Sequence, residues 1–382
     1  MHERTLSRGE LLKRGAQGTA LLSAGSLLTA GGAFGAAGGG QLETVRWISP
    51  RGTLQVMDDF NLWVPLKLGY FKGLGIEAEL IAGSLSDALA TTKFVAQNRA
   101  DMGYPSPGVL TASVDSGIAV KSVWDMISGQ VFNFALPADS KITSPKQLKG
   151  KTIALGNKGW SVIVDPMLVE LGIDPKSVKY VAAGAQWTQA ASTGRADAAL
   201  AWEGLRAQLA GQGLKLKYLI GTTWSKHPSN VYSVRAADLD DADKKALYTR
   251  FLQGVVMGLE FTKANPRAAA QITYESLPDL RKTLKPQLAL DSMLELARAY
   301  ATSHLAGQGW GYNAPRGWEN YLKIVAGLGQ TKKLLKASDV YTNELQAAAN
   351  KSADARKARA DGRAYKLSAQ FAKTKVAPGF KM

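Results

Sequence analysis

The sequence predicts an α/β protein of two lobes, and three observations carry that expectation. Short apolar runs of strand length alternate with helical segments through the first half of the chain, the pattern of a mostly parallel sheet. The chain has 382 residues, more than the roughly 250 to 300 at which a single hydrophobic core stops growing. Its 46% hydrophobic and 20% charged residues are those of a globular protein.

The alternation starts with a strand from Val45 to Ser49. A loop, Pro50 to Met57, leads to a helix over Asp59 to Leu68, and Gly69-Tyr70-Phe71-Lys72-Gly73 turns the chain into a second strand, Ile76 to Ile81. Asp87 to Ala96 reads as a helix with Ser84 or Ser86 as its N-cap, because a side-chain oxygen there can accept from the first unpaired amides. Asp101 to Tyr104 is a short strand ending at Pro105-Ser106-Pro107, Val109 to Ser116 is helical, and Ala119 to Met126 is extended. The pattern then repeats: strand Thr152 to Leu155, helix Ser161 to Leu171, strand Val178 to Val181, helix Gln186 to Thr193, strand Ala198 to Trp202. After Leu239, apolar residues fall at helical spacing in Leu247 to Ala264, Pro266 to Leu277 and Pro286 to Tyr300, helices suited to cover the first lobe.

Ligands of such sheets bind beyond the carboxyl ends of the strands. In the first lobe those ends are Ser49 to Leu54, Ala82 to Leu85 and Tyr104 to Ser106, which makes Arg51, Leu54, Ser84, Tyr104 and Ser106 candidates, with Asn61 and Trp63 on the first helix. In the second lobe the central stretch is Leu148 to Ser161, LKGKTIALGNKGWS, where a strand passes through a Gly-containing loop into a helix. Amides left unpaired at a helix start seat an anion, so Asn157, Trp160 and Ser161 are candidates; an ordinary strand-loop-helix joint reads the same way. Trp160, Trp187 and Trp202 fall near strand ends or helix starts, and indoles converging on one cleft suit a planar or apolar ligand, core packing being the alternative for each. Arg51 could pair with a carboxylate or sulfonate or stand as a solvated loop charge. Glu203 could accept from a ligand N–H or brace the hinge. Trp310 and Trp318 read as loop or surface packing.

The formal charge is +16, without the groove-reading element and interleaved aromatics of a nucleic-acid binder. Part of the excess lies at one end, where Lys351 to Met382 holds nine Lys/Arg against Asp354 and Asp361, a net of +7. It reads as a solvated basic tail, an anionic membrane surface being the other partner it would suit. There is no Cys, and His occurs only at positions 2, 227 and 304, which removes thiol nucleophiles, disulfides and the usual zinc ligands; no cofactor is expected. At the other end Arg4, Arg8, Lys13 and Arg14 precede Gly15 to Gly40, an uncharged run rich in Ala, Gly and Leu. A basic flank, a modest apolar segment and an exit such as Gly35-Ala36-Ala37 make an export signal over residues 1–40, an uncleaved membrane anchor being the alternative that the Gly content disfavours. Ser7 to Lys13 is also similar to a twin-arginine signal, with Gly9 where the second Arg belongs, so either export route remains open.

Four landmarks then carry a resemblance. Leu66 to Leu80 (LKLGYFKGLGIEAEL) is similar to a signature of the substrate-binding proteins of nitrate, sulfonate and taurine ABC importers and of the thiamine-precursor-like group. Asn98 to Gly103 resembles that family's G-x-A-D-I-G, with Asn98 in place of Gly; Ser140 to Lys151 resembles its S-x-I-x-S-x-K-D-L-K-G-K; and Gly194 to Glu203 resembles its G-x-x-D-A-A-x-x-W-E-P, Gly204 replacing the Pro. The resemblance covers Val45 to Val234 and implies a two-lobed type II periplasmic-binding-protein fold, with mixed sheets flanked by helices and a ligand cleft between the lobes. On that fold residues 41–135 begin lobe 1, 136–230 form lobe 2, 231–345 return to lobe 1 as helices and 346–382 form a basic helical tail, the chain crossing near Val131 to Pro137 and returning near Asn230 to Arg235.

The function it implies is periplasmic capture of a small organic anion, a sulfonate or an aromatic or heterocyclic carboxylate, by a monomer that delivers it to an ABC permease and its ATPase. An exported sensor of the same fold is the first alternative. An enzyme is the second, because fold alone excludes no chemistry. No Gly-x-Ser-x-Gly elbow, phosphate loop or Cys supports it.

Overall fold

The structure, a computed structural model, describes residues 41–84, 87, 89–127, 129–304 and 307–377. The expected export signal, and Leu85 and Ser86 of the expected site loop and N-cap, lie outside the described residues.

Lobe 1 opens with strand β1 (Glu43–Ile48), helix α1 (Phe60–Lys67), β2 (Ile76–Ile81), α2 (Ala90–Ala96), β3 (Met102–Gly103), α3 (Pro107–Asp115) and β4 (Val120–Asp125). The chain then crosses, and lobe 2 consists of β5 (Phe132–Pro137), β6 (Thr152–Leu155), α4 (Ser161–Glu170), β7 (Lys179–Ala182), α5 (Trp187–Ser192), β8 (Ala198–Trp202), α6 (Arg206–Gly211) and β9 (Leu216–Leu219). It returns along β10 (Val231–Arg235) into α7 (Ala242–Ala264), α8 (Pro266–Ser276), α9 (Pro286–Ser303), α10 (Pro315–Gly327), α11 (Glu344–Ser352), α12 (Ala355–Ala364) and α13 (Ala369–Lys373).

Each lobe is built on a five-stranded mixed sheet, in the orders β2-β1-β3-β10-β4 and β7-β6-β8-β5-β9. In the first, β1 runs parallel to β2 and β3 while β10 is antiparallel to β3 and β4; in the second, β6 runs parallel to β7 and β8 while β5 is antiparallel to β8 and β9. The two sheets thus share one topology, with β5 and β10, the strands that follow the two crossings, in the same place. The second sheet takes up the chain at Phe132, a few residues before the expected boundary. Strand β9 was not expected, because Lys215 and Lys217 interrupt its short apolar run at this sheet edge.

Separate cores lie under the two sheets. Lobe 1 packs Trp47, Phe60, Phe71 and Trp124 against Phe251, Val255 and Phe261 of α7; lobe 2 packs Phe134, Leu148, Ile153, Met167 and Leu200. Two expectations are corrected here. Trp310 and Trp318 are 5% and 0% exposed, and their indole N–H groups donate to Glu260 and Asn313, so both are core residues. Nor is the basic C-terminal segment a solvated tail. It wraps lobe 1 as a strap, with Ala358 and Gly362 of α12 buried along α7 and Phe371 of α13 fully buried. Arg359 pairs with Glu260 at 2.6 Å, the Tyr70 hydroxyl donates to Asp361 at 2.8 Å, and Arg267 donates to the carbonyls of Phe371 and Thr374.

Candidate functional site

At the strand ends of lobe 2, three of the expected tryptophans come together. Beyond β6, Gly156 and Asn157 lead through a 3-10 turn, Lys158–Trp160, into α4. The turn folds the Trp160 ring back over Gly156, where a Cβ would meet ring carbons at 2.6 to 2.9 Å, so any larger residue would push the indole away. Trp202 ends β8, and Trp187 begins α5 with its Nε1 donating to the Leu200 carbonyl at 2.7 Å. The Trp187 and Trp202 rings are stacked, centroids 6.1 Å apart, and Trp160 stands edge-on to both at 5.3 and 6.3 Å. All three remain half-buried. Within the turn, the amides of Trp160 and Ser161 donate back to loop carbonyls, so two of the expected outward donors are used internally.

The lobe 1 wall is built from the loop after β1. Arg51 Nη2 pairs with Asp59, and its guanidinium carbon lies 5.8 Å from the Tyr104 ring centre. Arg51 is therefore not a solvated loop charge: it is enclosed and already paired with Asp59. Its Nε and Asp59 Oδ2 are buried without a hydrogen-bond partner among the described residues. Asp58 reaches across to lobe 2, where the Trp202 side chain is near enough to favour its ionised form and a Cβ on Gly204 would lie 2.2 Å from its Oδ1. Burial pushes the Asp58 carboxyl up to about 6; Arg51 opposes that rise and Asp59 adds to it. Tyr104 packs with Trp47 and Tyr232, and burial raises its hydroxyl pKa.

The other expected lobe 1 residues are engaged within their own lobe. Asn61 is 1% exposed and donates to the Tyr232 hydroxyl at 2.6 Å; Ser106 caps α3; Leu54 and Trp63 pack on the lobe 1 core; and Ser84 accepts from the Asp87 amide. Glu203 is buried and braced: Arg206 donates to it at 2.9 Å and also lies 3.1 Å from Glu295 of α9, a contact between the lobes. Ser292 of α9 donates to the Gly204 carbonyl at 3.3 Å. Sequence reasoning missed Asp58, Arg206 and Glu295. The paired acids ahead of α1 and the Glu203-x-x-Arg206 spacing were the available signals.

The two crossings form the opposite flank. The Met126 amide donates to Asn230, and the Ser229 amide to the buried Asp125 carboxyl, whose pKa burial raises well above the ordinary range. The His227 ring is fully buried between Glu170 of α4, 3.3 Å from Nδ1, and Asn320 of α10, 3.3 Å from Nε2. Burial lowers its pKa to about 4, so the ring is neutral near neutral pH.

A family model described as NMT1/THI5 like matches residues 60–269. Among solved structures, the aliphatic sulphonate-binding periplasmic protein SsuA of Escherichia coli is similar with a TM-score of 0.58 and 10% identity, over 78% of this chain and 91% of that one. The periplasmic sulfonate-binding protein SsuA of Methylobacillus flagellatus has a TM-score of 0.56 and 16% identity, over 81% and 94%. The desulfurization enzyme DSZB in complex with biphenyl-2-sulfinic acid has a TM-score of 0.51 and 11% identity, over 81% and 99%, so the fold is shared by binding proteins and an enzyme. No curated protein matches the chain.

Proposed function

Because the chain belongs to the NMT1/THI5-like family, we propose that it is an extracytoplasmic solute-binding protein that closes on a small organic anion and delivers it to an ABC importer. The observation that carries this reading is the wall of three indoles at the strand ends of lobe 2, met from lobe 1 by Asp58. Flat, half-buried rings suit the planar or apolar body of an organic solute. The anionic end belongs at Asn157 to Ser161, where the start of the ten-residue helix α4 contributes ~0.3 to 2 kcal/mol through its dipole and Lys158 is exposed beside it. That polarity favours a sulfonate or an aromatic or heterocyclic carboxylate, and sulfonate binding in the SsuA proteins supports the choice.

The protein works by hinge closure, with ligand contacts in both lobes favouring the closed form and no bond made or broken. It acts as a periplasmic monomer, and the importer's permease and ATPase are its partners. A thermal-shift screen of small organic acids identifies the ligand, since a compound at about 100 times its dissociation constant adds ~2.7 kcal/mol. Calorimetry with that compound then tests the wall. Trp202→Ala, confirmed folded by circular dichroism, should lose at least about tenfold in affinity, which corresponds to ~1.4 kcal/mol. Lys146→Ala, an exposed change outside the cleft, should lose none. Equal affinities would make the indoles packing residues alone.

A further inference from the structure

A cavity of about 390 Å³ opens where α9 of lobe 1 meets α6 and β9 of lobe 2. Its apolar side is formed by Leu214, Leu216, Ile220 and Tyr218, its polar end by Arg206 and Glu295. Lys217 also borders it, but its ammonium donates to the Ser140 carbonyl. Because only Glu295 among these comes from lobe 1, the cavity is complete only while the lobes meet.

The Glu295 side chain is 3% exposed. Neither of its oxygens has a partner in hydrogen-bond geometry among the described residues, although the Ala207 amide is near enough to favour the ionised form slightly. Arg206, the cation paired with it among the described residues, is shared with the buried Glu203, and its guanidinium lies 5.2 Å from the Tyr218 ring centre. One arginine thus faces two glutamates, and Asp291 on α9 adds further negative charge. A buried carboxylate so placed is short of a positive charge, and burial holds its proton up to about 8.

We infer that this cavity binds a small primary ammonium ion with a short apolar body, the ammonium donating to Glu295 and the body lying along Leu214, Leu216 and Tyr218. Below the carboxyl's pKa, the bound ammonium takes the place of the carboxyl proton, which leaves to solvent. Glu295 becomes a carboxylate paired with two cations, Arg206 and the guest. Since the site needs both lobes, its occupation and closure of the lobes favour each other, and the coupling works in both directions. The cavity's lining includes none of the three indoles, and the assignment stands whatever ligand they take.

The probe is n-butylammonium chloride on the full chain. At millimolar concentration and pH 8.5 it should raise the melting temperature, while n-butanol and sodium chloride at matched ionic strength should not. Calorimetry at pH 7 in two buffers of different ionisation heat should register about one proton released per amine bound. Affinity should rise about tenfold from pH 6 to pH 7, as proton competition requires. Glu295→Gln should abolish both the shift and the proton release. Leu216→Trp, which fills the cavity and leaves Glu295 in place, should abolish the shift as well. An amine effect that sodium chloride reproduces, that persists in either folded variant, or that is absent from the wild-type chain would overturn the assignment.

Discussion

Under the proposed function, Asp58 is the residue on which ligand choice and pH meet. Its carboxyl titrates near 6 in the folded chain against an ordinary 3.8, because burial disfavours the charged form more than Arg51 supports it. A raised carboxyl pKa means that the folded state holds the proton more tightly than the unfolded one. The group's contribution to stability is therefore present at low pH and lost as pH rises through 6. An anionic ligand beside it strengthens that preference, so affinity for an organic anion should increase as pH falls from 7.5 to 5.5. Asp58→Asn should flatten the profile between those values, as titration calorimetry across the range would register; a profile identical to wild type would place the ligand out of reach of Asp58. The indoles of this site were legible in the sequence, since tryptophans at three strand ends of one lobe are an unusual placement. Asp58 was not, because an aspartate in a loop looks solvated until tertiary closure sets it over Gly204, whose missing side chain gives the carboxylate its room. Arg51 was legible as a charge near the cleft, but not as one already held by Asp59.

At the scale of elements, local alternation carried the reading well: β1, β2, β6, β7 and β8 and the long helices fall where apolar periodicity puts them, within a residue or a few. The strap was misread for a physical reason. Its composition is dominated by exposed Lys and Arg, while its attachment depends on a few small or apolar residues, Ala358, Gly362 and Phe371, spaced too sparsely to form an apolar stripe. Phe371 is fully buried and packs edge-on to Tyr274, with ring centres 5.6 Å apart. Phe371→Ala should therefore destabilise lobe 1 by about 3 to 5 kcal/mol, the usual range for an aromatic truncated in a core. Lys373→Ala on the same helix, an exposed position, should stay within about 0.5 kcal/mol. Urea denaturation of the two variants checks this, and similar midpoints would return the strap to a loosely held tail.

For the whole molecule, the lobes meet through polar contacts, Asp58 beside Trp202, Glu295 with Arg206 and Ser292 with the Gly204 carbonyl, and through close packing of Leu288 on Gly211 and of Val162 on Gly108. If the protein closes by a hinge as proposed, a ligand touching both walls adds its own contacts to these and favours the closed form. Scattering should show a larger radius of gyration for the free protein than for the saturated one. The chain offers a direct control, because it contains no cysteine of its own. A Cβ at position 204 would stand 2.3 Å from Asp58 Cγ, the place that a cysteine sulfur at 58 would take, which brings the pair within reach of a disulfide once the backbone relaxes slightly. The double variant Asp58→Cys, Gly204→Cys should oxidise to an intramolecular disulfide and show the compact radius without ligand; reduction should restore the open one. If the oxidised variant has the same radius as the reduced form, the two lobes do not part in solution, and ligand entry must proceed by a local opening at the indole wall instead of a hinge.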